Sequence, residues 1–560
     1  MDESPTATPT HISKPSSYPG GEWEAPDLPR RAVLLTLGGV MLAMFLASLD
    51  QTIVATALPR IVADLGGFDR FTWITTAYIV ASTSIVPLAG SIADVYGRKW
   101  LYVAGISVFL AGSVLSALAG TMDQLILARA VQGLGGGTMM ALSFVTIGDL
   151  FPPSERGKYQ GIIAGMFGIS SVLGPTIGGF VTDNLSWHWI FYINLPLGIP
   201  VVLMFIRFFP HSKPAHKRRI DWIGAGLMVL AIVPGLLAIS IGGNGNQWTE
   251  ARVIAMFAVS AVALAGFVWW GLRSTDPILP FVIFKSRIVT VSMIVIFLTG
   301  FAMFGAITFI PLLFQGVLGD SPTASGSFLT PMMLGIVFGA ASSGQVLSRT
   351  GGRYRIQGVI GLVIMSSGIG MLSTISADTG RATALIGAIV MGFGLGTTFP
   401  LFTIAVQNAV DYRFLGVATS STQFFRSIGG SVGLAIFGAV LTNRFTHNVD
   451  SNVSSEIKDV LGADVLNQIS SSPNALVAPN SLEQLSAAFS VAGDAAPRLT
   501  AEFLETLRVA LANSIGDIFK MALVLILVSL VGTLFLKEIP LKQRAKPGSD
   551  DEIKPPAVEF

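Results

Sequence analysis

The sequence predicts an all-α polytopic membrane protein with fourteen transmembrane helices. Composition points there first: 51% of the 560 residues are hydrophobic and 12% charged, where a soluble domain carries about 25% charged residues. Mean hydropathy is +0.67. Spacing is the second observation, because apolar stretches long enough to cross a hydrocarbon layer about 30 Å thick follow one another along the chain. The third is charge asymmetry. Sixteen Lys and Arg residues, from Arg98 and Lys99 to Arg413, fall in one set of loops, and four (Arg60, Arg70, Arg252, Arg381) in the other. Basic residues stay on the cytoplasmic side, so both termini are expected there. An ordinary soluble enzyme is excluded.

The same composition removes other classes. There are no cysteines, hence no disulfide, no Cys-ligated metal and no thiol catalysis. Five histidines leave little from which to build a metal site, and none is expected. Lys+Arg 35 against Asp+Glu 33 gives no electrostatic case for nucleic acid.

Residues 1–31 are rich in Pro, Ser and Thr without an apolar core, and read as a disordered cytoplasmic tail rather than a signal peptide. The apolar stretches then run 32–58, 72–94, 100–120, 124–149, 158–182, 187–209, 220–242, 251–271, 288–315, 325–347, 356–376, 381–407, 415–441 and 515–537. Those at 220–242 and 251–271 are interrupted by Gly and Pro. Eight of the nine Trp lie near proposed helix ends, where amphipathic rings favour the interface. Residues 442–512 read as a long external loop with weak amphipathic pieces at 482–490 and 500–512, and no domain is assigned to it. A tail, 538–560, closes the chain.

An internal repeat organises these helices. Gly90 and Gly97, in the inner loop after helix two, superpose on Gly344 and Gly351 after helix ten with an offset of 254 residues. The same offset carries helix one onto helix nine and helix five onto helix thirteen. Two six-helix bundles, 32–209 and 288–537, are therefore related, and the linker 210–287 inserts two further helices. Repeated bundles around a midplane site are a common plan for secondary transporters.

Five stretches carry chemistry. Asp50 lies in the outer half of helix one, within Leu49-Asp50-Gln51-Thr52-Ile53-Val54, with no charge near it in sequence. An acid at that depth is costly unless protonated, paired or wet, so it is a functional candidate or a packing salt bridge. Arg129, in Arg129-Ala130-Val131-Gln132-Gly133, falls at a similar level on helix four, with Gln51 and Gln132 as hydrogen-bonding neighbours. Gly90-Ser91-Ile92-Ala93-Asp94-Val95-Tyr96-Gly97-Arg98-Lys99 places charge and turn-forming glycines at the inner membrane face. On helix five, Gly161, Ser170, Gly174, Pro175, Gly178 and Gly179 form a stripe of small residues that lets helices approach closely. In the second half, Gln423 and Arg426 stand near mid-membrane with no acid at a comparable depth.

In order, these motifs resemble the fourteen-helix drug:proton antiporters of the major facilitator superfamily, the branch of multidrug and quaternary-ammonium efflux pumps. The loop is similar to G-x-L-A-D-R-x-G-R-K, with Val95 where the signature has Arg. Residues 49–59 resemble L-D-x-T-I-V-x-x-A-L-P. Helix five resembles the antiporter signature G-x8-G-x3-G-P-x2-G-G, with Ser170 in place of a Gly. Trp187 to Pro196 resembles the helix-six opening W-R-W-I-F-x-I-N-x-P, with His188 for Arg; that His is read as interfacial.

The resemblance implies the major facilitator fold and a proton-coupled exporter of lipophilic neutral or cationic compounds across the plasma membrane. Asp50 and Arg129 would couple protons. Asp94, Arg98 and Asp149, with the region around Arg413, would form a gating latch at Gly90 and Gly97. Gln51, Gln132, Gln423 and Arg426 would line the substrate cavity. Protons, small substrates and lipids are the expected partners of a monomer, with the proton gradient as energy source and no cofactor. An ATP-driven exporter would need a P-loop, and none occurs. A membrane enzyme would need clustered His, Asp or Glu, whereas Asp50 stands almost alone. An importer or exporter of one specific metabolite is the remaining alternative; of these, the resemblance on helix five disfavours the importer.

Overall fold

The computed structural model describes residues 29–65, 70, 72–209, 220–243, 248–319, 322–377, 379–470, 485 and 487–541. The expected tails, 1–31 and 538–560, lie almost wholly outside the described residues. Within them the chain is helical, without a strand. The first half comprises α1 (Arg30–Leu65), α2 (Thr72–Tyr96), α3 (Arg98–Ala117), α4 (Met122–Leu150), α5 (Pro153–Asn184), a single turn α6 (Trp189–Tyr192) and α7 (Asn194–Phe208). Two inserted helices follow, α8 (Trp222–Gly243) and α9 (Ala251–Gly271). The second half comprises α10 (Arg287–Leu312), α11 (Pro322–Arg349), α12 (Tyr354–Ser373), α13 (Arg381–Ala409), α14 (Leu415–Asn452), α15 (Ser455–Ser470) and α16 (Ala496–Leu534). With α6 and α7 counted together, fourteen segments are long and apolar enough to span a membrane.

Local signals set the ends. The Thr121 hydroxyl accepts from the Gln124 N–H at 3.3 Å and so caps α4. That helix stops at Phe151 because Pro152 and Pro153 follow, and α5 then begins on a proline, whose missing N–H costs nothing at a helix start. Burial orders the layers. In α4 and α13, 78% of the most apolar window is buried, against 17% in α9. The first two are therefore the central helices of their halves, and α9 is a peripheral, lipid-facing one.

The repeat reappears as packing. Within the halves, α3 packs on α4 as α12 packs on α13; between them, α2 packs on α14 as α5 packs on α11. Helix α8 lies against α2 and α14 and carries α9 outside it. Two crossings are glycine-dependent. Gly157 and Gly344 pass backbone to backbone, so a Cβ on Gly344 would lie 2.2 Å from the Gly157 carbonyl carbon. A Cβ on Gly90 would lie 2.7 Å from the Gly416 carbonyl oxygen.

Residues 442–512 depart from the expected loop. Helix α14 continues to Asn452, α15 follows, and α16 already starts at Ala496. Phe445, Val449, Val453, Ile457 and Leu461 recur every four residues, as do Leu499, Phe503, Leu507 and Leu511; all are buried in one cluster with the second half's core. Within each helix a four-residue repeat is one face, and the extended break at Val453 passes the buried face from α14 to α15. The polar residues between these positions dilute the average hydropathy and hide the pattern. Of the piece at 482–490, residues 482–484 and 486 lie outside the described residues.

The basic loops and this helical extension lie at opposite ends of the bundle, which gives a test of orientation. In a chain without native cysteine, Asp459→Cys, exposed on α15, should react with a membrane-impermeant maleimide in intact cells. Reaction only after lysis would reverse the assignment of cytoplasmic termini.

Candidate functional site

Three helices and the broken sixth span converge on Asp50. Arg129 and Gln132, three residues apart on α4, share the face toward α1. Arg129 Nη1 donates to Asp50 Oδ2 at 2.5 Å and to Gln132 Oε1 at 2.7 Å. Gln132 Nε2 donates to Asp50 Oδ1 at 2.7 Å and to the Ser113 hydroxyl of α3 at 3.1 Å. Asn194 Nδ2, at the start of α7, donates to Asp50 Oδ1 at 3.0 Å and to Ser113 Oγ at 2.7 Å. The Ser113 hydroxyl is itself anchored on the Phe191 carbonyl at 3.0 Å.

All five side chains are buried, Asp50 fully and Arg129 to 1% exposure. An isolated charge so placed would cost several kcal/mol; here each sign compensates the other, and amides satisfy the remaining lone pairs. The Tyr78 ring lies 4.4 Å and the Phe191 ring 5.8 Å from the guanidinium carbon, adding cation–π attraction. Arg129 is seven residues into α4, which at 1.5 Å per residue puts the pair about 10 Å inside the helix end. The arrangement balances one buried carboxylate against one buried guanidinium, so that the two charges hold α1 and α4 together as a neutral pair.

The helix-five stripe seats α5 against the helix that bears Asp50. A Cβ on Gly174 would lie 2.1 Å from Thr52 Oγ1, and one on Gly178 would lie 2.2 Å from Thr56 Oγ1. Thr52 donates to the Ser170 carbonyl at 3.0 Å, and Ser170 Oγ donates to the Phe45 carbonyl at 3.2 Å. Ser170 thus supplies a bond that a glycine would not. Gly161 instead faces Ala341 of the second half, and Gly179 has open space beside it. Pro175 sits inside one continuous helix.

The latch residues also meet. Arg98 bonds Asp94 through Nη2 at 3.4 Å and pairs through Nε with Asp149. Across the halves, Asp94 Oδ2 accepts the Val417 N–H at 3.2 Å, at the first turn of α14. There the helix dipole favours an anion, and the absent side chain of Gly416 makes room for the carboxylate. The latch thus meets the chain in the expected region, at the start of α14 close to Arg413, whose own side chain is exposed and pairs with Asp411. Gly97 takes φ 86°, a conformation that favours glycine, at the α2–α3 turn. At the repeat-related position, Ser348 donates to the Ser154 carbonyl at the start of α5. Nearby, Arg156 of α5 donates to Gln407 Oε1 of α13 at 3.2 Å. These cross-half bonds lie at one end of the bundle, which is closed there.

In the second half, Arg426 Nη1 donates to Gln423 Oε1, and its guanidinium carbon stands 3.7 Å from the Phe399 ring centroid. An amide and an aromatic face thus take the place of the acid that a buried cation would seek. Gln51, next to Asp50 in the chain, is half-buried. Sequence reasoning missed Ser113, Asn194 and Tyr78. Asn194 stood within the quoted helix-six opening as a lone amide among apolar residues, and that was the available signal. His188 stacks on Trp187 with ring centroids 3.7 Å apart, as an interfacial ring would.

Comparisons with known proteins follow the same lines. The family model described as Major Facilitator Superfamily matches residues 40–434. The chain is similar to "Multidrug transporter protein MdtP" of Bacillus subtilis, 37% identical over 542 residues, covering 95% of this chain and 97% of that one. It is similar to "Multidrug resistance protein 3" of the same species, also 37% identical, over 91% of this chain and 96% of that one. Among solved structures, the proton:xylose symporter XylE aligns with TM-score 0.54 at 12% identity, over 92% of this chain and 98% of that one, a likeness of fold alone.

Proposed function

The chain belongs to the Major Facilitator Superfamily of membrane transporters, and from that premise we propose that it is a proton-coupled antiporter. It exports lipophilic neutral or singly cationic drugs and toxins across the plasma membrane, as a monomer with cytoplasmic termini and no cofactor. The observation that carries this reading is the fully buried Asp50–Arg129 pair. A carboxylate held by one guanidinium and two amides is a two-position switch. Charged, it binds α4 and α7 to α1; protonated, it releases them. If the released form belongs to one cavity state and the paired form to the other, each cycle carries a proton one way and a substrate the other. The multidrug transporters among its relatives support the substrate class, and the lack of a second deep acid among the described residues favours monocations over dications.

The test is transport by the purified protein in liposomes under an imposed pH gradient. Rhodamine 6G should move against its own gradient while the medium it is exported into is acidic, and a protonophore should stop it. A comparably lipophilic dication should move about tenfold more slowly, the factor that 1.4 kcal/mol of mismatched charge gives. Uphill transport that ignores the pH gradient would overturn proton coupling.

A further inference from the structure

Arg426 is the buried charge that the coupling switch does not use. It lies eleven residues past the start of α14, about 16 Å along the helix, and Phe399 lies ten residues before the end of α13, about 15 Å from the same membrane face. Both are therefore near the middle of a hydrocarbon layer about 30 Å thick. A cation there is expensive, and proteins keep one where an opposite charge or water reaches it.

Arg426 is 6% and Gln423 7% exposed, and no carboxylate among the described residues pairs with it. Its hydrogen bond goes to Gln423 three residues back on its own helix, and its plane is backed by the Phe399 ring. Its backbone is fixed as well: a Cβ on Gly300 of α10 would lie 2.4 Å from the Arg426 carbonyl oxygen. The guanidinium is held in place, braced on one side and left without a counter-charge. The Asp50 site shows the contrast, since there the cation has its acid and two amides complete the shell.

We infer that Arg426, with Gln423, is a recognition point for a carboxylate carried by the transported compound, so that lipophilic acids and zwitterions join the neutral and monocationic substrates. Guanidinium matches a planar carboxylate with two parallel N–H donors. Gln423 contributes an amide N–H beside it, and Phe399 backs the guanidinium plane and fixes its orientation. The inference rests on the export reading above and deepens it.

The experiment uses one fluorophore in two forms, rhodamine B with its free carboxylate and rhodamine B ethyl ester without it. Both are assayed with the full-length protein in liposomes, in methanesulfonate medium free of carboxylate and chloride. Wild type should export both. Arg426→Gln should lower export of the acid about tenfold more than export of the ester, the value of one charge-assisted bond. Arg426→Lys should recover part of the acid's rate. Equal loss of acid and ester in Arg426→Gln would make the residue a packing element and overturn the inference, as would acid export unchanged in that variant. If Arg426→Gln does not insert, Gln423→Leu serves instead and must show the same selective loss. Ester export that requires added chloride, and loses that requirement in Arg426→Gln, would assign an inorganic counter-ion and overturn it too. Failure of wild type to export even the ester would count against the export reading itself.

Discussion

Asp50→Asn will abolish uphill, pH-driven export while substrate binding stays within about threefold, a difference under 1 kcal/mol. The amide cannot carry the titrating charge, and its Nδ2 group would point a donor at Arg129, where Oδ2 now accepts at 2.5 Å. Arg129 would keep Gln132 Oε1 but lose its counter-charge, and breaking a buried pair costs about 3–5 kcal/mol. Single substitution therefore mixes two effects, lost coupling and lost stability. The double variant Asp50→Asn/Arg129→Gln separates them, because removing both charges leaves no uncompensated ion. Its thermal midpoint should return toward wild type while pH-driven export stays absent. Proton-coupled accumulation in the double variant would place the proton site elsewhere.

Gly344→Val will reduce transport about a hundredfold with insertion intact. The wedge acts where two backbones touch: the added Cβ would meet the Gly157 carbonyl carbon at 2.2 Å, and backbone cannot swing aside as a flexible side chain can. Closing that end would cost at least about 3 kcal/mol more, and a shift of that size moves a balanced two-state equilibrium by about a hundredfold. A cysteine at Ser421, buried on α14 behind the latch, should become reactive from the latch side in this background alone. Asp94→Asn, which weakens the charge-assisted bond to the Val417 N–H, should act the same way by about tenfold. Wild-type turnover in Gly344→Val would show that the two halves need not meet there during the cycle.

Much of this was readable in the sequence because a membrane makes polar residues conspicuous. Asp50, Arg129 and Gln132 interrupt apolar runs, and helix geometry put them at one level before any contact was known. Asn194 and Ser113 escaped because small polar groups occur throughout bundles and only proximity to a charge distinguishes them. For Asp94 the sequence named the right region, the start of α14 near Arg413, but the contact itself is a backbone N–H, which no residue type announces. The described parts of 442–512, residues 442–470, 485 and 487–512, are largely helical where a loop was expected, because hydropathy averages over a window while burial follows one face. The repeat related the two bundles, and the structure extends it to the matched packing of α2 on α14 and α5 on α11; nothing in the sequence showed that Gly179 would stand clear of its neighbours.

The helical extension makes the two halves mechanically unequal. Its core is continuous with that of the second half, and Arg508 of α16 clamps it by donating to the carbonyls of Val317 at 2.6 Å and Ala377 at 2.9 Å. A rigid projection fixed to one of two rocking bodies is a lever arm. Small rotations about the latch become large excursions at its tip, where Asn452, Glu456 and Asp459 are exposed. A fluorophore or an antibody fragment placed there would report the turnover of a single molecule as displacement. A binder that ties the tip to the rim of the first half would arrest the cycle from outside the membrane, without occupying the cavity.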